Sequence, residues 1–121
     1  MKAGRERQKA LTREYRRQPK VMGAYCIRNT LSQKCFVGVS RDVKARLNRH
    51  RFSLKTNTEL LLLELQKDWN EHGSDVFEFT VLDSIEPTED PNYDPSEDLE
   101  VLEQLWFDQL RPFAPEGYNS P

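Results

Sequence analysis

Residues 23–54 read GAYCIRNTLSQKCFVGVSRDVKARLNRHRFSL, and this stretch decides the fold. Two β-type runs, Ala24–Arg28 and Lys34–Val39, flank the turn sequence NTLSQ, which predicts a hairpin. Apolar residues then recur at helical spacing from Arg41 to Leu54, so a helix is expected directly after the hairpin, with Ser40 as its N-cap. A hairpin followed at once by a helix indicates a domain that mixes a sheet with helices.

Two glycines lie in the strands of this hairpin. Because glycine weakens a strand, Gly23 and Gly38 are each expected to mark a bulge or a place where another backbone or a ligand comes close. If Tyr25 pairs with Phe36, the two cysteines of the chain lie opposite each other across the hairpin. Small buried thiols are the state expected for them in a reducing compartment.

The remainder of the chain predicts two more helices and a third strand. A very apolar helix is expected from Thr58 to His72, and its leucines at 60–63 predict that it is the most buried helix. Residues 76–82 alternate as a strand does, and a helix capped by Ser96 is expected to carry Glu103. The predicted fold class is α+β, with a three-stranded mixed or antiparallel sheet flanked by three helices, plus a short basic N-terminal helix at 4–18.

Two of these helices carry ionisable residues on the face that should meet the core. On the first, Arg46 and His50 stack one turn apart on the side that carries Val43 and Leu47. On the last, Glu103 lies within the apolar stripe rather than opposite it. Burying an unpaired carboxylate is costly, so Glu103 needs a cation, a metal or a water-filled cleft. Two interpretations stay open: an active site, or a structural ion pair between Arg46 and Glu103.

Charge is divided strongly between the two halves of the chain. Residues 1–55 carry a net charge of +13 and residues 56–121 a net charge of −15. A basic half of this density is typical of a surface that binds a polyanion such as nucleic acid. The alternative is that the two halves neutralise each other in the fold.

The length of 121 residues allows one domain with its own core, divided here into a basic arm at 1–20 and a folded domain at 21–121. No apolar run approaches the roughly 20 residues that span a bilayer, so no membrane association is expected and the expected compartment is the cytoplasm. No CxxC or HxxxH spacing occurs, which argues against a structural zinc site.

Six elements in a fixed order resemble the GIY-YIG nuclease family. They are GAY at 23–25, FVG at 36–38, Arg46, His50, Glu103 and GYN at 117–119. The similarity continues through RLNRHR, LQKDWNEHG, FEFTVLD and LEQLW, so that it covers residues 22–119 and is greatest to small stand-alone bacterial members. Gly23, Phe36 and Gly38 support the motif without carrying its chemistry.

The resemblance implies a nuclease that cuts phosphodiester bonds with one divalent metal, Mg²⁺ or Mn²⁺. Glu103 would hold the metal and Arg46 would stabilise charge on the phosphate. Tyr25 would activate the attacking water through a phenolic pKa lowered by Arg46 and the metal, and His50 would be its hydrogen-bonding partner or a phosphate ligand. Asn119 would contact the phosphate or fix Glu103. Each has a structural alternative: a strand aromatic for Tyr25, a helix cap for His50 and a turn residue for Asn119.

The chain departs from the family pattern in three places. Ala24 replaces the usual larger aliphatic residue, which changes packing and affects no chemistry. Phe36 stands where the second motif usually begins with tyrosine, so that a hydrogen bond to the attacking water is lost. Glu59 and a run of four leucines stand where many relatives carry a polar segment with histidine or asparagine. If the leucines are exposed, they would suit a partner or a second copy of the chain.

The expected function is that of a metal-dependent DNA endonuclease or nickase that binds DNA through its phosphates. One site cuts one strand, so double-strand cleavage requires a homodimer or sequential nicks. The alternative, favoured by Phe36 and the basic first half, is a nucleic-acid-binding module with weak or no catalysis. A third hypothesis is that the acidic loop at 83–98 covers the basic face and restricts access to DNA.

Overall fold

The protein, described by a computed structural model over residues 20–86 and 88–121, contains one sheet and three α-helices in those ranges. The predicted basic helix at 4–18 lies outside the described residues. In chain order the elements are β1 (Met22–Asn29), β2 (Cys35–Ser40), α1 (Val43–Lys55), α2 (Leu63–His72), a 3₁₀ turn (Ser74–Val76), β3 (Phe77–Ile85) and α3 (Ser96–Leu110). The predicted α+β class is confirmed.

The sheet has the strand order β2-β1-β3, with β1 in the centre and antiparallel to both neighbours. Tyr25 pairs with Gly38, and Phe36 pairs with Ile27. The predicted pairing of Tyr25 with Phe36 is therefore wrong. The register shifts because β1 continues to Asn29, and Gln33, at a φ of 67°, closes the turn only after that point. Both cysteines are buried free thiols, as expected.

Helices cover both faces of the sheet. On one face, Tyr25 and Ile27 of β1 belong to a buried cluster that also takes in Leu47 of α1 and Leu65 of α2. On the other face, a smaller cluster of the two cysteines and Val37 packs against aromatic side chains of α3. Because alternate residues of a strand point to opposite faces, the aromatic ring of Tyr25 lies on the side of α1.

The residues that begin two of the helices differ from those predicted. Asp42 caps α1 by accepting a hydrogen bond from the Ala45 N–H, and the Ser40 hydroxyl instead accepts one from the Asp42 N–H. Ser96 is the first residue of α3 and makes no side-chain cap there. Asp42 forms the cap because the backbone does not become helical until Val43, which leaves Ser40 at the end of β2.

The second helix begins at Leu63 rather than at Thr58, and it is not the most buried helix. Leu60 and Leu61 lie in the loop before it and are 73% and 93% exposed. Only Leu65, Gln66 and Trp69 of α2 are buried. Three of the four leucines, at 60, 61 and 63, therefore supply apolar surface, and only Leu62 packs against the core as predicted.

The segment after α3 lies along the outer edge of β2. The Tyr118 N–H donates to the Cys35 carbonyl at 2.9 Å, and the Tyr118 hydroxyl donates to Asp68 on α2 and accepts from Asn29 on β1. These contacts fasten the segment to the sheet and cover the edge that β2 would otherwise expose. None of the helices in the described ranges combines the length and the apolar character that a membrane crossing requires.

Candidate active site

Tyr25 and His50 meet beneath the sheet face that α1 covers. The Tyr25 hydroxyl lies 3.0 Å from His50 Nε2, and the two ring centroids are 5.7 Å apart. Both residues are buried, with 3% and 8% of their surface exposed. The structure therefore joins two of the predicted site residues in one hydrogen bond.

The surroundings of Tyr25 hold its hydroxyl in the protonated form. Burial raises the pKa of Tyr25 to about 12, and the charges of Glu59 and Glu103 act in the same direction, while the charge of Arg46 lowers it. The sequence predicted a Tyr25 pKa lowered by Arg46 and a metal. In the protein itself, the effect of burial on this pKa is larger than the opposite effect of Arg46. At neutral pH this phenol must give up its proton before it can accept one from water.

Gly38 and Phe36 hold the Tyr25 ring in place. A Cβ atom at residue 38 would lie 2.6 Å from the Tyr25 hydroxyl oxygen, so a side chain there would displace the hydroxyl. Phe36 packs against both partners, at 6.1 Å from the Tyr25 ring and 5.7 Å from the His50 ring. Both glycines therefore lie where another group comes close, as expected. At Gly38 that group is the Tyr25 side chain, and at Gly23 it is the backbone of Asp83.

Arg46 is exposed on α1, although its helical position predicted burial. With Arg49 it lines a shallow pocket of about 330 Å³ at the start of the helix, and the remaining lining residues are Ser40, Asp42 and Ala45. Within residues 20–86 and 88–121, Arg46 forms no ion pair, so the alternative of a buried pair with Glu103 is wrong. An exposed guanidinium that has no acidic partner among the described residues is available to a phosphate.

Glu103 is half-buried on α3 without a counter-charge in the described ranges. Burial and the neighbouring Glu100 both raise the pKa of Glu103. Its ionised carboxylate is therefore destabilised, because no described positive charge offsets it. Its charge also raises the pKa of Tyr25. A half-buried carboxylate of this kind fits a hard divalent cation that keeps several water ligands.

A different group of potential ligands lies on α2. Asp68, Glu71 and His72 bring one ligand atom each to within 4.8 Å of one another. Asp68 already accepts a hydrogen bond from the Tyr118 hydroxyl, and the group does not include Glu103. We therefore assign no role in the reaction to this surface cluster.

Asn119 is buried, and its amide pairs with the backbone of Val37. The side-chain oxygen accepts from the Val37 N–H and the side-chain nitrogen donates to the Val37 carbonyl, both at 2.9 Å. In the protein without substrate, the Asn119 amide thus forms hydrogen bonds with β2 and none with Glu103. These contacts favour a structural role over the predicted contact with phosphate.

Three comparisons with known proteins identify the family and the fold of this chain. The GIY-YIG catalytic domain model matches residues 21–119. The chain belongs to the GIY-YIG family. The intron-associated endonuclease 1 of Enterobacteria phage T4 is 37% identical over 98 residues, which are 80% of this chain and 36% of that protein. The chain thus spans about a third of the length of this relative.

Two solved structures have the same fold as this GIY-YIG domain. The catalytic domain of the homing endonuclease I-TevI is 29% identical, with a TM-score of 0.66, over 83% of this chain and 98% of that one. A mutant of the catalytic domain of the intron endonuclease I-TevI is 31% identical, with a TM-score of 0.65, over 82% and 92%. Both of these solved structures are of the catalytic domain of an endonuclease.

One residue of this GIY-YIG site was not among the predicted site residues. Glu59 is buried in the loop between α1 and α2, and its Oε2 lies 3.0 Å from His50 Nδ1. The sequence had placed Glu59 at the start of a helix from Thr58 and had given it no partner. The only signal in the sequence was the departure from the family pattern at this position.

The positive charge that the GIY-YIG domain carries on α1 is unpaired within the described ranges. The helix bears five basic side chains, all exposed, and none forms an ion pair with a described residue: Lys44, Arg46, Arg49, Arg51 and Lys55. Arg51 lies over the Phe79 ring at 4.5 Å. The acidic loop reaches only Arg41, through Asp94, so in these ranges it does not pair with the basic face of α1.

Proposed function

We propose that this protein is a metal-dependent endonuclease that nicks DNA at a single active site. The observation that carries the proposal is the buried hydrogen bond between Tyr25 and His50, which lies in the field of the Arg46 and Glu103 charges. A proton acceptor, a phosphate-binding cation and a carboxylate suited to a metal are the groups that hydrolysis of a phosphodiester requires.

The proton of the attacking water leaves through Tyr25 and His50. Because the pKa of Tyr25 is about 12, the hydroxyl is not ionised in the resting protein. It accepts a proton from water only as it passes its own proton to Nε2 of His50, 3.0 Å away. Tyr25 is therefore a relay, and His50 is the base that finally holds the proton.

Arg46 and Glu103 act on the phosphate from two helices. Arg46 is exposed and has no acidic partner among the described residues, so its guanidinium can bind two phosphate oxygens and offset the charge that develops on them. Glu103 would hold Mg²⁺ or Mn²⁺, which when bound polarises the phosphate and stabilises the leaving oxygen.

DNA is the proposed substrate because of the charge on α1. Its exposed basic side chains can contact successive phosphates without reading bases, which favours binding of low sequence specificity. One site cuts one strand, and a homodimer would place two sites on a duplex. Leu60 and Leu61 provide exposed apolar surface for such a contact.

The experiment that tests this proposal is nicking of supercoiled plasmid with Mg²⁺ or Mn²⁺, with an EDTA control. We expect Glu103→Ala to abolish nicking and to keep or raise the melting temperature, because the change removes a carboxylate that burial disfavours. Asp108→Ala, which removes an exposed carboxylate from the same helix, is the matched control and should nick as the wild type does.

A second function, that of a nucleic-acid-binding module with weak or no catalysis, is favoured by one observation. Phe36 brings no hydroxyl to the site, although its ring packs against both Tyr25 and His50. Salt-sensitive DNA binding without nicking in any metal would establish this second function and contradict the first.

A further inference from the structure

Glu59 is a carboxylate that the loop between α1 and α2 holds in the interior. It is 9% exposed, and its backbone N–H donates to Gln66 Oε1 at 3.1 Å. The Gln66 amide nitrogen in turn donates to the Leu54 carbonyl and to Asn70, which connects the loop to the ends of both helices. The position of the Glu59 carboxylate is therefore fixed by α2 and by the end of α1.

The only side chain that pairs with this carboxylate in the described ranges is His50, through its Nδ1 atom at 3.0 Å. The other ring nitrogen of His50 lies 3.0 Å from the Tyr25 hydroxyl. The three groups thus form a continuous chain from Glu59 through the imidazole to the phenol. The Phe36 ring packs against the imidazole, with the two ring centroids 5.7 Å apart.

We propose that Glu59 is a positioning residue that fixes the proton of His50 on Nδ1 and offsets the positive charge that His50 acquires during cleavage. An ionised carboxylate can only accept hydrogen bonds, so the nitrogen that faces it must carry the hydrogen. In a neutral imidazole the other nitrogen is then an acceptor, and its lone pair faces the Tyr25 hydroxyl. The inference rests on the proposed function and names the residue that prepares its base.

In the proposed hydrolysis, each proton that leaves one atom has a defined acceptor. The O–H bond of the attacking water breaks and its proton goes to the Tyr25 oxygen, while the Tyr25 O–H bond breaks and that proton goes to His50 Nε2. The water oxygen forms a bond to phosphorus, the bond to the leaving sugar oxygen breaks, and that oxygen takes a proton from solvent. His50 becomes an imidazolium next to Glu59, which is the arrangement that a buried carboxylate stabilises.

The charged and titratable groups that surround this chain come from several elements. Glu59 faces His50 from the loop, and Tyr25 faces it from β1. The charges of Arg46 on α1 and Glu103 on α3 also act on the Tyr25 hydroxyl. Of these groups, only Glu59 contacts the Nδ1 atom, so the proton on that atom depends on Glu59.

The first test is nitrogen NMR of the histidine rings in the metal-free wild-type protein and in Glu59→Gln. We expect neutral His50 of the wild type to carry its hydrogen on Nδ1. In Glu59→Gln the amide group can donate to Nδ1, and we expect the Nε2–H form to appear. This measurement needs no nuclease activity, so it decides the inference about His50 even if the wild type does not nick DNA.

The second test is the rate of plasmid nicking across pH. We expect Glu59→Gln to lower kcat by about 10- to 100-fold, to leave the KM for DNA near that of the wild type, and to change the pH profile. Glu64→Gln removes an exposed carboxylate from the first turn of α2 and is the matched control, with wild-type rate and profile expected. Melting temperatures of both variants exclude loss of fold.

Two results would overturn the inference. One is a wild-type His50 that carries its hydrogen on Nε2, because Glu59 then does not determine which ring nitrogen is protonated. The other is a Glu59→Gln variant with an altered ring but unchanged kcat and pH profile. If the wild type fails to nick while His50 carries its hydrogen on Nδ1, the proposed function is wrong and the effect of Glu59 on the ring is confirmed.

Discussion

The Asn119 side chain pairs with the Val37 backbone as a neighbouring strand would. Its amide satisfies both the N–H and the carbonyl of a residue on the outer edge of β2. Buried backbone groups of this kind are costly when they lose their partners. The two hydrogen bonds of Asn119 therefore stabilise the folded protein, independently of any contact with substrate.

We expect Asn119→Ala to lower the free energy of unfolding by about 2–6 kcal/mol, because each of two backbone groups that loses its partner costs about 1–3 kcal/mol. Urea unfolding of the purified variant measures the change. Asn70→Ala is the control, because it removes an exposed amide that bonds only to side chains. Its free energy of unfolding should fall by about 0.5 kcal/mol, as is usual for a surface substitution. Unchanged stability with lost nicking would instead assign Asn119 to the phosphate.

At the scale of elements, α1 combines two surfaces with different tasks. Its buried side carries Val43, Leu47, Leu54 and the site residue His50, and its exposed side carries only basic ionisable groups. A helix with no acidic residue on its exposed side gains nothing from internal ion pairs. This distribution favours an interaction with phosphate rather than a contribution to the stability of the helix.

We expect Arg49→Gln to weaken DNA binding and to reduce the slope of log affinity against log salt by about 0.9, which corresponds to one phosphate contact. Binding measured at several salt concentrations gives this slope. Lys67→Gln removes an equally exposed charge from α2 and should leave the slope unchanged. Equal slopes for Arg49→Gln and the wild type would mean that Arg49 does not contact DNA.

The start of α2 shows what helical periodicity does not reveal. The four consecutive leucines at 60–63 favour a helix, and the sequence therefore predicted a longer helix. In the structure the chain stays irregular until Leu63, because Glu59 turns inward to His50 and its N–H is held by Gln66. Pairing between residues from different elements outweighs local propensity here, and no pattern within the segment indicates it.

At the scale of the whole molecule, buried tyrosines connect stability to alkaline pH. Burial raises the pKa of Tyr25 to about 12 and also raises that of Tyr118, whereas both would titrate near 10 in the unfolded chain. Between about pH 10 and 12 the unfolded chain loses protons that the folded chain keeps. The stabilisation is therefore complete below about pH 10 and is lost as pH rises towards 12.

We expect the free energy of unfolding to fall by up to about 1.4 kcal/mol per pH unit for each of these tyrosines above pH 10. Urea unfolding of the wild type and of Tyr25→Phe at pH 8–11 separates the part due to Tyr25. The difference in stability between the two proteins should narrow as pH rises above 10. A difference that stays constant over this range would contradict the prediction.

The sequence was sufficient for the class of fold and for most of the site, and the reasons are physical. Alternation and helical spacing found the sheet and helices because they reflect burial, and the ordered motif brought Tyr25 and His50 into the candidate site. The register of the hairpin was wrong because it depends on Gln33 in a left-handed conformation. The exposure of Arg46 was also missed, since periodicity predicts a face but not how far the neighbouring elements cover it.

Gly38 has a consequence for how this protein would respond to random substitution. The hydrogen atom that stands in place of a side chain there leaves the space in which the Tyr25 hydroxyl lies. Even alanine would move the hydroxyl away from His50 while leaving every polar group of the site present. A mutational scan that selects for cleavage would therefore rank position 38 with the reactive residues, although glycine brings no functional group to the reaction.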